Sequence, residues 1–216
     1  MMKRAIVLAI VALFAVGVSA SATVVSTTIY PGFNMIGPPV VPFSPDPASV
    51  FAGIPLAGTL TRFDASTQGY VLYDPDFPED YGGVLLGDGA WLRKAGGGTL
   101  TWSYDGAPDG LPDSSGVLTD MWLSLPQAGF TLIAHPFNHP VDAANVRFTD
   151  GIGTLDWQAA VAAGWFNGVL VGFEATVQGY FTVGPDPDSY DRTQLEPFYG
   201  YWVRTYKANL AMIVPA

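Results

Sequence analysis

The feature that most constrains the fold of this chain is an internal repeat in its sequence. A block built on Gly32-Phe33 recurs as Gly129-Phe130, and further blocks recur in the same order. The matched segments are 31–39 with 128–136, 58–63 with 168–173, 68–70 with 178–180, and 89–93 with 200–204. Such self-similarity predicts two copies of one supersecondary unit. We therefore expect two tandem, mutually similar units at residues 23–106 and 122–216, joined by a Gly-, Pro- and Asp-rich linker at 107–121.

Both units are predicted to consist of short β-strands. Apolar stretches alternate with clusters of Gly, Pro and Asp, which is typical of antiparallel sheets. One hairpin is predicted from strands at 59–63 and 70–73, and a second from strands at 90–94 and 99–104 around Gly96-Gly97-Gly98. The expected fold class is all-β, with each unit an antiparallel β-sandwich.

The second copy carries an insertion within residues 149–167. Its segment from Asp156 to Gly164 is rich in alanine, begins with a residue suited to a helix N-cap and ends on glycine. One short helix is therefore predicted inside the second unit. The matching stretch of the first copy, residues 46–53, is expected to hold a single helical turn.

Residues 1–22 have the three parts of a secretory signal peptide. Lys3 and Arg4 precede an apolar run at 5–18, and the small residues at 20–22 form a cleavage site. A membrane anchor is the alternative, but the apolar run is short for a membrane span. The prediction is bacterial-type export to a secreted, extracellular or cell-surface location, without membrane insertion after the signal is removed.

Charge and cysteine content exclude several classes of protein. The chain has 19 acidic and 9 basic residues, for a net charge of −10. This charge argues against nucleic acid as a partner, because the phosphates would be repelled. The absence of cysteine excludes disulfides, thiolate metal sites and cysteine nucleophiles. An aromatic content of 13% excludes a disordered chain, so a folded core must supply the stability.

The repeated motifs have a definite form. They comprise Gly-aromatic-Asn-x-Ile-Gly-x-Pro at 32–39, a hairpin ending in Thr-Gln-Gly-Tyr at 67–70, and a Gly-x-Trp block at 89–91. Over residues 29–102 and 122–213 the chain resembles a repeat of secreted bacterial proteins, in which it is an accessory β-domain beside larger exported proteins. The resemblance implies a β fold and an extracellular location, and it implies no catalytic residue. The second copy departs at Thr131, Ala134 and His135, so the roles of Asn34 and Gly37 are not expected to be duplicated.

Six tryptophans suggest carbohydrate binding, because flat aromatic rings stack on sugar rings. Trp91 and Trp202 occupy equivalent repeat positions within apolar strands, and they are expected to be buried core anchors. The remaining candidates form a predicted exposed aromatic platform. Its members are Trp102, Trp157, Trp165, Tyr70 and Tyr180.

Two acidic loops recur, and Ca²⁺ takes clustered carboxylate oxygens. Neither loop has EF-hand spacing, and solvated acidic turns are the alternative interpretation. The candidate calcium ligands are Asp74, Asp76, Asp186, Asp188 and Asp191. No other cofactor is expected.

The only two histidines, His135 and His139, have the spacing of a zinc pair on a helix. Pro136 and Pro140 prevent a regular helix there, because proline lacks the backbone N–H and clashes with the preceding turn. Both histidines are therefore expected to be ordinary loop residues.

The sequence contains neither a Gly-x-Ser-x-Gly elbow nor a phosphate-binding loop, and it does not predict an enzyme. The first hypothesis is a secreted, non-catalytic structural or interaction protein, either for surface adhesion or as a filament or matrix subunit. Its partners would be copies of itself or extracellular polysaccharide. The alternative is a carbohydrate-binding module. A secreted hydrolase is the second alternative, because carboxylate pairs are available for glycoside hydrolysis.

Residues 23–30 are uncharged and rich in β-branched side chains, which predicts a first strand. This strand would pair within its own subunit, as the equivalent segment before Gly129 must, or exchange into a neighbour at a free sheet edge. Pairing within the subunit is the favoured interpretation.

Overall fold

The computed structural model describes residues 22–107, the first half, and residues 119–216, the second half. Nearly all of the predicted signal peptide and most of the predicted linker lie outside the described residues. The strands of the first half are β1 (Thr23–Ile29), β2 (Gly32–Ile36), β3 (Val41–Pro42), β4 (Leu60–Asp64), β5 (Gly69–Leu72), β6 (Ala90–Lys94) and β7 (Leu100–Ala107). Those of the second half are β8 (Met121–Leu125), β9 (Gly129–Ala134), β10 (Val141–Asp142), β11 (Arg147–Thr149), β12 (Thr154–Asp156), β13 (Phe166–Glu174), β14 (Gly179–Val183), β15 (Gln194–Leu195), β16 (Gly200–Thr205) and β17 (Leu210–Val214).

The described residues also form short helices. These are α1 (Pro47–Val50), α2 (Pro78–Tyr81), α3 (Trp157–Ala162) and a 3₁₀ turn at Ala143–Asn145. The predicted helix in the insertion is confirmed as α3. Asp156 is its N-cap, as expected, since its carboxylate accepts a hydrogen bond from the Ala159 amide at 2.8 Å. Asp46 caps α1 in the same way. The structure adds α2, which begins at a proline in a segment expected to be an acidic loop.

All the strand ladders are antiparallel, which confirms the all-β class. Each half has a four-stranded sheet with the same order, β2-β6-β4-β5 in the first and β9-β16-β13-β14 in the second. The other sheets are β1-β7-β3, β12-β11-β17-β8 and the small pair β10-β15. Two clear sandwiches are not evident, because short strands divided by Gly, Pro and Asp turns are distributed over several small sheets.

The predicted hairpin of 59–63 and 70–73 is confirmed as the ladder between β4 and β5. The predicted hairpin of 90–94 and 99–104 is wrong. β6 pairs with β2 and β4, whereas β7 pairs with β1 and β3 in another sheet. The turn between them has left-handed residues at Gly96 and Gly98, with φ of +73° at each, and it carries the chain from one sheet to the next.

The first strand pairs within its own subunit, as favoured from the sequence. β1 follows β7 from the pair Thr23↔Gly106 to the pair Ile29↔Leu100. β1 is an edge of its sheet, so its outer side has no strand partner among the described residues.

Within the described residues, three apolar clusters stabilise the fold. One lies in the first half around Trp102 and Phe51, and one lies in the second half around Phe148 and Phe166. The third contains residues of both halves and lies where the two four-stranded sheets meet; its buried members are Met35, Leu132 and Phe173. No helix in the described part of the chain is long and apolar enough to cross a membrane.

Candidate functional site: an aromatic face over the seam between the halves

The two halves meet along a seam, defined as the contacts between their four-stranded sheets. Backbone hydrogen bonds cross it in equivalent pairs. The Gly37 amide donates to the Phe198 carbonyl at 3.1 Å, and the Ala134 amide donates to the Gly87 carbonyl at 2.8 Å. Gly37 aligns with Ala134 in the repeat, and Phe198 aligns with Gly87. Each half therefore donates one of these hydrogen bonds to the other half and accepts the equivalent one from it.

Two glutamines from the repeated Gln-Gly-Tyr blocks cross the seam. Gln68 accepts from the Phe130 amide at 2.8 Å and donates to the Phe130 carbonyl at 2.9 Å. Gln178 accepts from the Phe33 amide at 2.8 Å and donates to the Phe33 carbonyl at 2.9 Å. Each side-chain amide therefore pairs with a backbone the way a neighbouring strand would.

The glycine before each of these phenylalanines leaves room for the same contact and has a left-handed backbone. Gly32 has a φ of +91°, and a Cβ there would lie 2.3 Å from the Gln178 side-chain oxygen. Gly129 has a φ of +129°, and a Cβ there would lie 2.5 Å from that of Gln68. The repeated Gly-Phe and Gln-Gly blocks are thus the two sides of one contact, made twice.

Aromatic rings from both halves interleave over the seam, and we call this surface the aromatic face. Phe63 of the first half meets Trp202 of the second with ring centres 4.8 Å apart, and Phe173 meets Trp91 at 5.1 Å. The face consists of Phe33, Phe63, Tyr70, Trp91, Phe130, Phe173, Tyr180 and Trp202. These edge-to-face pairs fix the positions of the rings.

Two cavities lie side by side on the aromatic face. One of about 280 Å³ is lined by Phe33, Thr61, Tyr70, Trp91, Phe173 and Tyr180. The other, of about 400 Å³, is lined by Phe63, Tyr70, Phe130, Val171, Tyr180 and Trp202. Tyr70 and Tyr180 belong to both cavities and are 62% and 65% exposed. Burial raises the pKa of the Tyr70 hydroxyl, and the neighbouring Tyr180 raises it further.

An arginine lies at each end of the aromatic face. The Arg93 guanidinium is 6.0 Å from the centre of the Phe33 ring, and that of Arg204 is 5.5 Å from the Phe130 ring. The two arginines align in the repeat, so both ends offer a cation and hydrogen-bond donors beside an aromatic ring.

The structure brings only part of the predicted platform together. Tyr70 and Tyr180 lie side by side, but the expectation that Trp102 and Trp157 are exposed is wrong. Trp102 is 0% exposed and donates its indole N–H to the Val50 carbonyl, while Trp157 donates to the Gly168 carbonyl from the core of the second half. Trp165 is half-buried with the Lys207 ammonium 4.7 Å from its ring, away from the aromatic face.

Trp91 and Trp202 lie at equivalent positions, as expected, but they are not fully buried. Both are half-buried in the cluster between the halves and line the cavities of the aromatic face. Sequence alternation identifies one side of a strand as apolar. It does not distinguish a closed core from an apolar surface with an open edge.

The carboxylates of the acidic loops accept hydrogen bonds from nearby residues of the chain. The Asp74 carboxylate accepts from the Asp76 amide at 2.9 Å, and the Asp186 carboxylate accepts from the Asp188 amide at 3.0 Å. Asp191 accepts from the amide and hydroxyl of Thr182, and these bonds lower the pKa of its carboxyl. Within residues 22–107 and 119–216, no three acidic or histidine side chains are grouped as a metal site.

His135 lies in a loop, as the sequence predicted, but it is not an ordinary surface residue. It follows β9 directly and is fully buried, with its Nε2 2.6 Å from the His139 carbonyl oxygen. Its Nδ1 has no hydrogen-bond partner among the residues that the structure describes. Burial lowers the pKa of the His135 imidazole to about 4, so the ring is neutral at physiological pH.

The roles of Asn34 and Thr131, which align in the repeat, are different. Asn34 is buried and fastens the turn before β2, because its side chain accepts from the Tyr30 amide and donates to the Tyr30 carbonyl, both at 2.9 Å. Thr131 is also buried, but its hydroxyl has no hydrogen-bond partner in the described part of the chain.

A further cavity, of about 470 Å³, was not predicted from the sequence. It lies between β1 and the β13–β14 hairpin and is lined by Thr27, Thr28, Tyr30, Asn34, Glu174, Thr176 and Tyr199 among others. Glu174 accepts from Arg192 at 2.7 Å and from the Tyr199 hydroxyl at 3.0 Å. Although burial opposes it, these bonds lower the pKa of Glu174, so the carboxylate is already satisfied.

Comparison of the chain with protein-family models, with curated protein sequences and with solved structures finds no match. The functional interpretation of the aromatic face therefore depends on its own geometry and chemistry.

Proposed function

We propose that this protein is a secreted, non-catalytic binding protein whose aromatic face takes a polysaccharide chain. The observation that carries the proposal is the pair of adjacent, equivalent aromatic cavities that share Tyr70 and Tyr180. Two like cavities in a row suit a ligand made of repeating units. The signal-like segment at residues 1–22 supports the extracellular setting.

The composition of the aromatic face suits sugar rings. The C–H faces of a pyranose pack on aromatic rings, and its hydroxyl groups need hydrogen-bond partners at the edges of that contact. Tyr70 and Tyr180 supply hydroxyls between the cavities, Thr61 supplies one inside the first cavity, and the arginines supply donors at both ends.

Hydrolysis at this face is less well supported than binding. Glycosidases need two carboxyl groups flanking the scissile bond. The described residues that line the two cavities include neither Asp nor Glu. The secreted hydrolase therefore remains the weaker alternative.

An adhesion, filament or matrix subunit is the second candidate function. The observation that favours it is the seam, where equivalent backbone groups of the two halves bond to each other. We further propose that residues 23–106 and 122–216 are tandem copies of one β unit. The identical strand order of the two four-stranded sheets supports this assignment.

Binding of the mature protein, residues 23–216, to insoluble polysaccharides and to a glycan array tests the proposed function. The double variant Tyr70→Ala/Tyr180→Ala should lose at least about tenfold in affinity, because it removes the shared wall of both cavities. Phe77→Ala is the matched control, since Phe77 is an exposed aromatic residue outside the face and its loss should leave binding unchanged. Undiminished binding by the double variant, or no binding to any glycan, contradicts the proposal.

A further inference from the structure

The contacts across the seam come in equivalent pairs, so the seam has the character of a two-fold interface. Gln68 bonds to Phe130 as Gln178 bonds to Phe33, and the backbone bonds of Gly37 and Ala134 correspond in the same way. An interface of this kind is self-complementary, because the same patch lies on both sides. Self-complementarity alone would allow a half to pair either with the other half or with a second copy of itself.

One position where the halves meet is not the same in both. Gly37 and Ala134 align in the repeat, and they face each other across the seam. A Cβ on Gly37 would lie 2.1 Å from the Cβ of Ala134, far inside the closest approach of two carbon atoms. The space between the two backbones therefore holds a single methyl group.

We propose that this limit of one methyl group makes the seam heterotypic: a first half pairs with a second half, either its own or that of another copy of this chain. Two second halves would place two Ala134 methyl groups in the space of one. Two first halves would leave that space empty, because both would contribute Gly37. Gly37 and Ala134 are thus specificity-determining residues that act by exclusion.

The partner that fits the open form of this interface is a second copy of the chain. If two chains exchange second halves, both seams still contain one glycine and one alanine, and a closed dimer results. If the exchange continues from chain to chain, the contact is head-to-tail and the assembly grows. This inference goes beyond polysaccharide binding and stands or falls independently of it.

A double-mutant cycle on the full mature chain tests the shared space. Gly37→Ala should lower the unfolding midpoint by roughly 3–10 °C, as overpacking does in a protein of this size. Ala134→Gly should lower the midpoint in the wild-type background and raise it in the Gly37→Ala background. The added methyl also meets the Asp88 carbonyl oxygen, 2.5 Å away, but that clash is common to both Gly37→Ala proteins and cancels in the comparison.

If Ala134→Gly lowers the midpoint equally in both backgrounds, the two positions do not share space and the proposal is overturned. If Gly37→Ala alone does not fold, recovery of folded protein in the double variant supports the proposal, and failure to recover it overturns the proposal.

Mixing tests the exchange between chains. Gly37→Ala chains and Ala134→Gly chains are refolded together and weighed by light scattering after gel filtration. Exchange gives each seam one methyl group, so a 1:1 dimer is expected, with an unfolding midpoint above that of Gly37→Ala alone. Gly37→Ala mixed with wild type is the control, because one of its exchanged seams still holds two methyl groups. A mixture that contains only monomers overturns exchange between chains.

Discussion

Gln68 and Gln178, which lie in different halves of the molecule, make the same two hydrogen bonds in opposite directions across the seam. Both residues have a left-handed backbone, with φ of +52° and +53°, at the end of equivalent hairpin turns. This backbone conformation is unusual for a residue other than glycine. Each turn therefore holds some backbone strain, which places its glutamine side chain at the seam. The side-chain amide then pairs with the backbone amide and carbonyl of a phenylalanine on the edge strand of a described sheet.

Gln68→Ala should destabilise the protein by about 2 kcal/mol, because it leaves the Phe130 amide and carbonyl without their partner. Gln178→Ala should cost a similar amount through Phe33. Chemical denaturation measures both. Gln158→Ala, at an exposed position of α3, is the control and should change the unfolding free energy by less than about 0.5 kcal/mol.

Gly32→Ala should destabilise far more than Gly53→Ala. Both glycines have a left-handed φ, +91° and +81°, so the backbone strain of the substitution is similar. A Cβ at Gly53 meets nothing within 4 Å, whereas one at Gly32 strikes the Gln178 side chain. We expect Gly53→Ala to cost about 1 kcal/mol and Gly32→Ala at least about 2 kcal/mol more, measured by urea denaturation. Equal losses would show that the contact with Gln178 is unimportant.

Trp102→Ala should be among the most damaging substitutions, with a loss of about 3–5 kcal/mol. The ring is fully buried and stacks on Phe51 with a centroid distance of 4.8 Å. The substitution also removes the indole N–H that donates a hydrogen bond to the Val50 carbonyl. Trp91→Ala, on the half-buried aromatic face, should cost less in stability, and thermal melts of the two variants compare them directly. A larger loss for Trp91 would contradict this placement of the core.

Folding stability should fall as the pH drops from about 7 to about 4, because His135 resists protonation in the folded state. Its pKa is lowered to about 4 by burial, against about 6.5 in an unfolded chain. Between these values the unfolded state binds more protons, so acid favours unfolding, by about 3 kcal/mol across the window.

His135→Gln removes this titration and should flatten the dependence of unfolding free energy on pH between 4 and 6.5. His139→Gln is the matched control, because the His139 side chain is exposed and the hydrogen bond to His135 comes from its backbone carbonyl, which the substitution keeps. Denaturant titrations at several pH values provide the measurement. Identical slopes in the two variants would exclude His135 as the source.

Thr131→Val should stabilise the protein by about 1 kcal/mol. The Thr131 hydroxyl is buried without a hydrogen-bond partner within residues 22–107 and 119–216, and valine has nearly the same shape without the polar group. Thermal unfolding measures the gain. Asn34→Val at the aligned position should destabilise the protein, because the backbone amide and carbonyl of Tyr30 both lose their hydrogen bonds to the Asn34 side chain.

Local features were the most predictable part of the fold. The hairpin of β4 and β5 and the helix α3 followed from turn residues, apolar pattern and capping within a few positions of each other. The partner of β7 was not predictable in the same way. Its true neighbour β1 is almost the full length of the half away, and loop closure over that distance is decided by the packing of whole sheets.

The candidate site was predicted only in part. Tyr70 and Tyr180 were identified because each follows a repeated turn, and they do lie together. Trp102 and Trp157 were misplaced because their irregular positions in the repeat carry no information about burial. The aligned aromatic residues Phe63 and Phe173 repeat as faithfully as Tyr70 and Tyr180, and that signal was available for including them.

By itself, the sequence determined that the chain is β-rich, where most of its turns fall, and which residues recur in both halves. These properties depend on neighbours in the chain, through strand alternation, glycine conformation and capping. Only the tertiary structure decided that the recurring residues face each other. Gln68 meets a backbone 62 positions away and Gln178 meets one 145 positions away. Contacts over such distances form because two sheets exclude water from a common surface, and no stretch of neighbouring residues specifies that surface.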